Sequence, residues 1–153
     1  MTQLIVETVA KARQDCCAAG VRLTAKRENV LTILLEHDHA LSAYDVVDLY
    51  SEGFGEALSA MSVYRMLGFL VDNRLVHKLE TTNQFIACAH IRCDHEHEES
   101  QFLICDDCHR VTEVGINTGV IDELRRSVAD TDFYLPRQQL ELHGLCRECK
   151  HKK

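Results

Sequence analysis

The sequence predicts an α+β chain: an N-terminal winged helix-turn-helix domain followed by a C-terminal α/β domain with a four-cysteine metal site. Three observations carry this. Apolar residues recur at helical spacing in four successive segments up to residue 72. Two short apolar-rich runs, Leu75–Leu79 and Gln84–Cys88, follow around a Thr82-Asn83 turn. Two C-x-x-C pairs, Cys105-Asp-Asp-Cys108 and Cys146-Arg-Glu-Cys149, lie beyond them.

Each element has a local reason. Ile5, Val9, Ala12 and Cys16 mark one face of a helix over residues 3–19, which Gly20 ends. Thr24 offers an N-cap for a second helix reaching about His37, with Val30, Leu31, Leu34 and Leu35 as its buried stripe. Ser42 followed by Asp45 is a variant capping box for a third helix, which Gly53 and Gly55 break. Ser59 starts a fourth, whose core face is Val63, Met66, Leu67, Leu70 and Val71. Its other face carries Ser59, Ser62 and Arg65, a polar surface suited to a major groove. Helices followed by a hairpin make a winged helix over residues 1–82. Residues 83–100 read as a hinge, because Ala89–Ser100 turns sharply to His and acidic residues. In residues 101–153, strands are predicted at Gln101–Ile104, Arg110–Val114 and Gln138–Leu142, and a helix at Gly119–Ala129.

A length of 153 residues with 46% hydrophobic content suits one compact domain or two small ones. No apolar run approaches membrane-spanning length, and the first residues do not read as a signal peptide, so a cytoplasmic location is expected. The net charge of -7 weighs mildly against nucleic-acid binding. Local clustering offsets it: Arg22, Lys26 and Arg27 fall together, and Arg65 and Arg74 mark another helix. Binding through so small a basic footprint would weaken strongly with salt.

The eight cysteines and nine histidines point to metal chemistry. Two C-x-x-C turns deliver four thiolates, the donor set of closed tetrahedral zinc. The alternatives are a redox motif or an iron–sulfur cluster. A thioredoxin-like redox site needs a βαβ context, which is missing. A second set of donors comprises His77, Cys88, His90, Cys93, His95, His97 and Glu113. They fall in the two wing strands, the hinge and a strand of the second domain. Singly, His77 reads equally well as a wing surface residue and Cys88 as core filler. Together they suggest an ion whose binding couples the DNA reader to the second domain. Thiolate, imidazole and one carboxylate suit zinc. Cys16 and Cys17 read as packing or surface residues, and His37, His39 and His151 as exposed. His143 is either a supporting donor behind the second cysteine pair or a plain strand residue.

The segments VRLTAKRENVL, SAYDVVDLY, SVYRMLGFLVDNRLVHKLETTNQFIAC, FLICDDCHRVTEV and HGLCREC together resemble the ferric uptake regulator family, and within it the zinc-uptake branch, over residues 15–149. The resemblance implies a homodimeric, zinc-responsive repressor, not an enzyme. Loaded with zinc, it would bind double-stranded operator DNA and shut off zinc-uptake genes, with no membrane or small-molecule substrate as partner. It implies two zinc ions per protomer. Structural zinc falls to Cys105, Cys108, Cys146 and Cys149. Regulatory zinc falls to His77, Cys88, Glu113 and a hinge histidine, taken as His97 with His95 as the alternative. Arg65 and Tyr44 would reach base edges, and Tyr64 and Arg22 the backbone, with Ser62 on the same helix; for both tyrosines helix packing is the competing role. A same-fold sensor of iron, manganese, nickel or peroxide, or a C-x-x-C thiol redox protein, is the alternative. Two departures from the family pattern are Thr24-Ala25-Lys26-Arg27, lacking the usual proline, and Ala60-Met61-Ser62-Val63-Tyr64-Arg65 at the fourth helix entry. Altered base preference is the expected consequence.

Overall fold

The computed structural model describes residues 2–93, 100–135 and 139–152. The chain separates into two compact units, Met1–Asp94 and His95–Lys153. The first contains α1 (Gln3–Ala18), α2 (Ala25–Leu35), α3 (Ala43–Phe54), α4 (Ala60–Asp72), β1 (Val76–Leu79) and β2 (Gln84–Ala87). The second contains β3 (Ser100–Cys105), β4 (Val111–Gly115), α5 (Thr118–Val128), β5 (Glu141–Gly144) and α6 (Arg147–Lys150). Among the described residues, no helix is long and apolar enough to cross a membrane.

Helical periodicity places the core of the first unit. Ile5, Val9, Ala12 and Cys16 of α1 are buried, with Thr8 beside them. Val30, Leu31 and Leu34 of α2 are buried, as is Ile33, while Leu35 is only half-buried. Val46 and Tyr50 of α3 meet Val63, Leu67 and Leu70 of α4 in the same cluster, with Met66 and Val71 packed partly against it. Ile91, beyond the wing, joins this core.

The helix ends follow from hydrogen-bond demand. Ser42 and Asp45 form the reciprocal capping box at the start of α3: the Asp45 N–H donates to Ser42 Oγ at 3.1 Å and the Ser42 N–H to Asp45 Oδ2 at 2.7 Å. Gly55, at φ 65°, ends α3 in a left-handed conformation that costs glycine least; Gly53 lies inside the helix rather than breaking it. Ser59 caps α4 by accepting from the Ser62 N–H at 3.2 Å. Thr24 occupies the N-cap of α2, but its hydroxyl makes no capping bond. α2 stops at Leu35, short of the predicted His37, because the His37 ring engages the Ile33 carbonyl at 2.7 Å. That contact, and an edge-on His37–His39 ring packing at 5.4 Å, leaves both histidines partly buried rather than exposed.

The wing is a two-stranded antiparallel hairpin with Val76 opposite Ala87 and Leu79 opposite Gln84. Asn83, at φ 52°, takes the left-handed turn position that asparagine tolerates. Leu41 and Phe85 exchange backbone hydrogen bonds at 2.9 and 2.7 Å, tying the α2–α3 connection to the wing. In the second unit, β3 is central, with β4 antiparallel on one side and β5 parallel on the other. The third strand begins at Glu141, later than predicted; Gln138 lies outside the described residues. Gln101 is fully buried and accepts a hydrogen bond from the Leu140 backbone, which ties the approach to β5 against β3.

Ser42→Ala removes the side-chain half of the capping box, the Oγ that accepts from the Asp45 N–H, and leaves the Ser42 backbone N–H to Asp45. The expected result is a loss of about 1 kcal/mol in chemical denaturation, with the fold retained.

Candidate metal centre and nucleic-acid surface

The two C-x-x-C pairs converge. β3 ends at Cys105 and turns back, with the Cys105 N–H donating to the Arg110 carbonyl at 3.0 Å and His109 at φ 60° completing the turn. The second pair flanks α6, with Cys146 at its N-cap and Cys149 inside it. Because β5 runs parallel to β3, both pairs arrive at the same end of the sheet. One sulfur from each of Cys105, Cys108, Cys146 and Cys149 lies within 4.8 Å of the others. The Cys108 and Cys146 sulfurs are 3.7 Å apart. A tetrahedron of sulfurs around zinc at about 2.3 Å has an edge of about 3.8 Å, so this spacing fits the ion.

The electrostatics agree. The Cys105 thiol is pulled down to about 6 by the N–H groups of Cys108, Cys146 and Asp107 directed at its sulfur. The Cys146 N–H lies 3.3 Å from it. The Cys149 thiol is pushed up by the Asp107 carboxylate, then by its burial and the neighbouring sulfurs. Four thiolates this close cannot all ionise unaided, and a bound divalent cation removes that conflict. Asp107, inside the first pair, is a contact that spacing alone did not single out. His143 lies on β5 and pairs through Nδ1 with Asp106 at 3.0 Å. It therefore supports the cysteine turn, as well as occupying the strand. Cys16 is buried in α1 with its thiol pushed up by that burial, while Cys17 is exposed.

Of the second donor set, His77 and Cys88 come together on the wing. The Cys88 N–H donates to the Leu75 carbonyl at 3.0 Å, extending the β1–β2 register by one pair. Cys88 and His77 therefore project from the same side of the hairpin. A His77 ring nitrogen and the Cys88 sulfur lie within 4.8 Å of each other. Cys88 is buried and its sulfur accepts from the His90 N–H at 3.4 Å. Cys93 is partly buried beyond a turn in which its N–H donates to the His90 carbonyl. Glu113, in the other unit, is half-buried on β4 and accepts a hydrogen bond from Ser100. His95 and His97 lie outside the described residues.

The proposed DNA-contacting residues sort by exposure. Tyr44 opens α3 and is 64% exposed. Arg65 is exposed on α4, and Arg22 is exposed before α2. Ser62 is half-buried, its hydroxyl 2.9 Å from that of Ser59. Tyr64 is half-buried and packs edge-on to Phe85 with ring centroids 6.4 Å apart. The basic cluster is partly structural. Lys26 pairs with Glu56. Arg27 stacks 3.6 Å over the Phe69 ring and donates to the Arg22 carbonyl at 2.8 Å, joining α2, the preceding loop and α4. Cation–aromatic packing of this kind cannot be read from charge spacing.

The model of the ferric uptake regulator family matches residues 18–143. A zinc uptake regulation protein of Escherichia coli K12 is 38% identical over 143 residues, covering 94% of this chain and 81% of that protein. A solved zinc uptake regulator complexed with zinc and DNA matches at TM-score 0.83 and 36% identity, over 99% of this chain and 98% of that one. The crystal structure of holo XcZur matches at TM-score 0.77 and 34% identity, over 95% and 98% of the two chains.

In the zinc-loaded protein, Cys105, Cys108, Cys146 and Cys149 are expected to resist thiol labelling until a strong chelator is added. Labelling followed by mass spectrometry reads this directly, and rapid labelling before chelation would count against a closed site.

Proposed function

This chain belongs to the ferric uptake regulator family, and on that premise we propose that it is a zinc-responsive transcriptional repressor. It binds operator DNA as a dimer when regulatory zinc is loaded and represses zinc-uptake genes. The observation that carries the reading is the pairing of a four-sulfur cluster with a separate imidazole–thiolate pair on the wing of a winged helix. The relative named a zinc uptake regulation protein and the solved regulator complexed with zinc and DNA support the choice of zinc over iron or manganese. The convergence of both C-x-x-C pairs into one cluster favours metal binding over the thiol redox alternative.

Two zinc ions per protomer follow. Cys105, Cys108, Cys146 and Cys149 hold the structural one, which fixes the end of the chain to the β3–β4 turn. His77 and Cys88, with Glu113 and His97 (His95 in its stead), hold the regulatory one. Bound zinc supplies a cation that joins donors far apart in sequence. His77 and Cys88 make the wing one of its anchors. With the reader restrained in orientation, less ordering cost remains when it meets DNA. The winged helix acts as the reader, its second strand β2 running past the boundary at residue 82 read from the sequence; the segment that follows it up to residue 100 acts as the hinge and 101–153 as the dimerising part. Leu103, Leu142 and Leu145 leave the second unit an exposed apolar surface suited to a second copy. Arg65 donates to guanine O6 and N7, a contact worth about 1–3 kcal/mol of discrimination. Tyr44 reaches a base edge beside it, Arg22 and Tyr64 meet the backbone, and Ser62 holds the helix entry. A cytoplasmic regulator without a catalytic role is the corresponding cellular reading.

Arg65→Ala is expected to abolish specific operator binding with zinc content unchanged; retained specificity would remove α4 from the recognition role. Cys88→Ser is expected to lower zinc-dependent DNA affinity and to leave the dimer intact in sedimentation. Dissociation of that variant would assign Cys88 to structure instead.

A further inference from the structure

α4 has an apolar side chain that the fold does not use. Val63, Leu67 and Leu70 form its buried stripe, yet Met61, in its first turn, is 62% exposed. Met61, Arg65, Gly68 and Asp72 are all exposed, spaced so that they line one face of the helix. Along that face the chemistry changes from end to end. Asp72 would repel phosphates at the C-terminal end. Arg65 attracts them and can also read guanine. Met61 stands one turn N-terminal to Arg65, where a recognition helix presents residues to base edges. Ser59 caps the helix immediately before it, so the backbone carrying Met61 is held in place.

An unbranched thioether on that face has no hydrogen bond to offer a base. What it can offer is apolar contact, and the major groove displays one apolar group, the C5-methyl of thymine. The flexible side chain can follow the methyl into position. The geometry points to Met61 as a specificity-determining residue that contacts the methyl group of a thymine adjacent to the guanine read by Arg65. This rests on the reading of α4 as the recognition helix and adds a second base preference to it.

The test uses the zinc-loaded full chain and duplexes selected by it from a randomised pool. Within the selected half-site, each thymine is replaced singly by deoxyuracil, which lacks only the methyl group. Affinities are measured for the unaltered protein, Met61→Ala and Arg65→Ala. At one thymine beside the guanine, deoxyuracil should weaken the unaltered protein by roughly fourfold, the scale of one buried methyl or methylene group. Met61→Ala should bind the thymine duplex more weakly and show no difference between thymine and deoxyuracil there. Its thermal midpoint, read in parallel, should stay unchanged because the side chain is exposed. The inference is overturned if Met61→Ala keeps the full deoxyuracil sensitivity, or if the selected half-site has no thymine beside the guanine. Loss of specificity in Arg65→Ala alongside such a result leaves the repressor reading intact. Retained specificity in Arg65→Ala overturns the recognition helix itself, and the Met61 contact with it.

Discussion

The four-sulfur cluster is the constraint on which the second unit depends. Among the described residues, that unit has a three-stranded sheet and a small buried set, with Phe102, Ile104, Val111 and Ile121 as buried apolar side chains beside Cys105 and Cys149. So small a core gives modest stability by itself. The parallel pairing of β5 with β3 brings the last cysteine pair beside the first, and the Asp106 N–H reaches across to the Gly144 carbonyl at 2.8 Å. A metal ion at that end closes a loop of about forty residues between the pairs. Sheet register and metal geometry therefore enforce each other.

The first unit is built on a different principle. Its helices share one continuous apolar cluster that the wing completes, so it needs no metal to hold its core. The wing can then carry His77 and Cys88 for another purpose. Putting a donor pair on a rigid hairpin fixes their separation before any ion arrives, which lowers the ordering cost of binding. Under the proposed function, stability and sensing fall to different donors, a division a sensor requires if it is to release one ion without unfolding.

Much of this was legible in the sequence because the signals were local or periodic. The α4 stripe, the Ser42–Asp45 box, the wing and both cysteine pairs are short-range patterns, and each element forms close to where its pattern lies. Failures came where side chains compete with backbone. His37 takes the Ile33 carbonyl and ends α2 early, whereas Thr24 does stand at the N-cap the sequence indicated. The basic cluster was legible as charge but not as role, since Lys26 finds Glu56 and Arg27 finds Phe69 across the fold. The wing pair was only suggested by spacing; the hairpin register is what sets His77 beside Cys88.

The most direct test of the zinc-sensing account is operator affinity measured against separately buffered free zinc, iron and manganese, with bound metal counted at each point. The account predicts that affinity rises with free zinc as a second ion per protomer is taken up, while the first stays bound throughout. Affinity that is flat across the zinc range, or that follows iron or manganese instead, would contradict it.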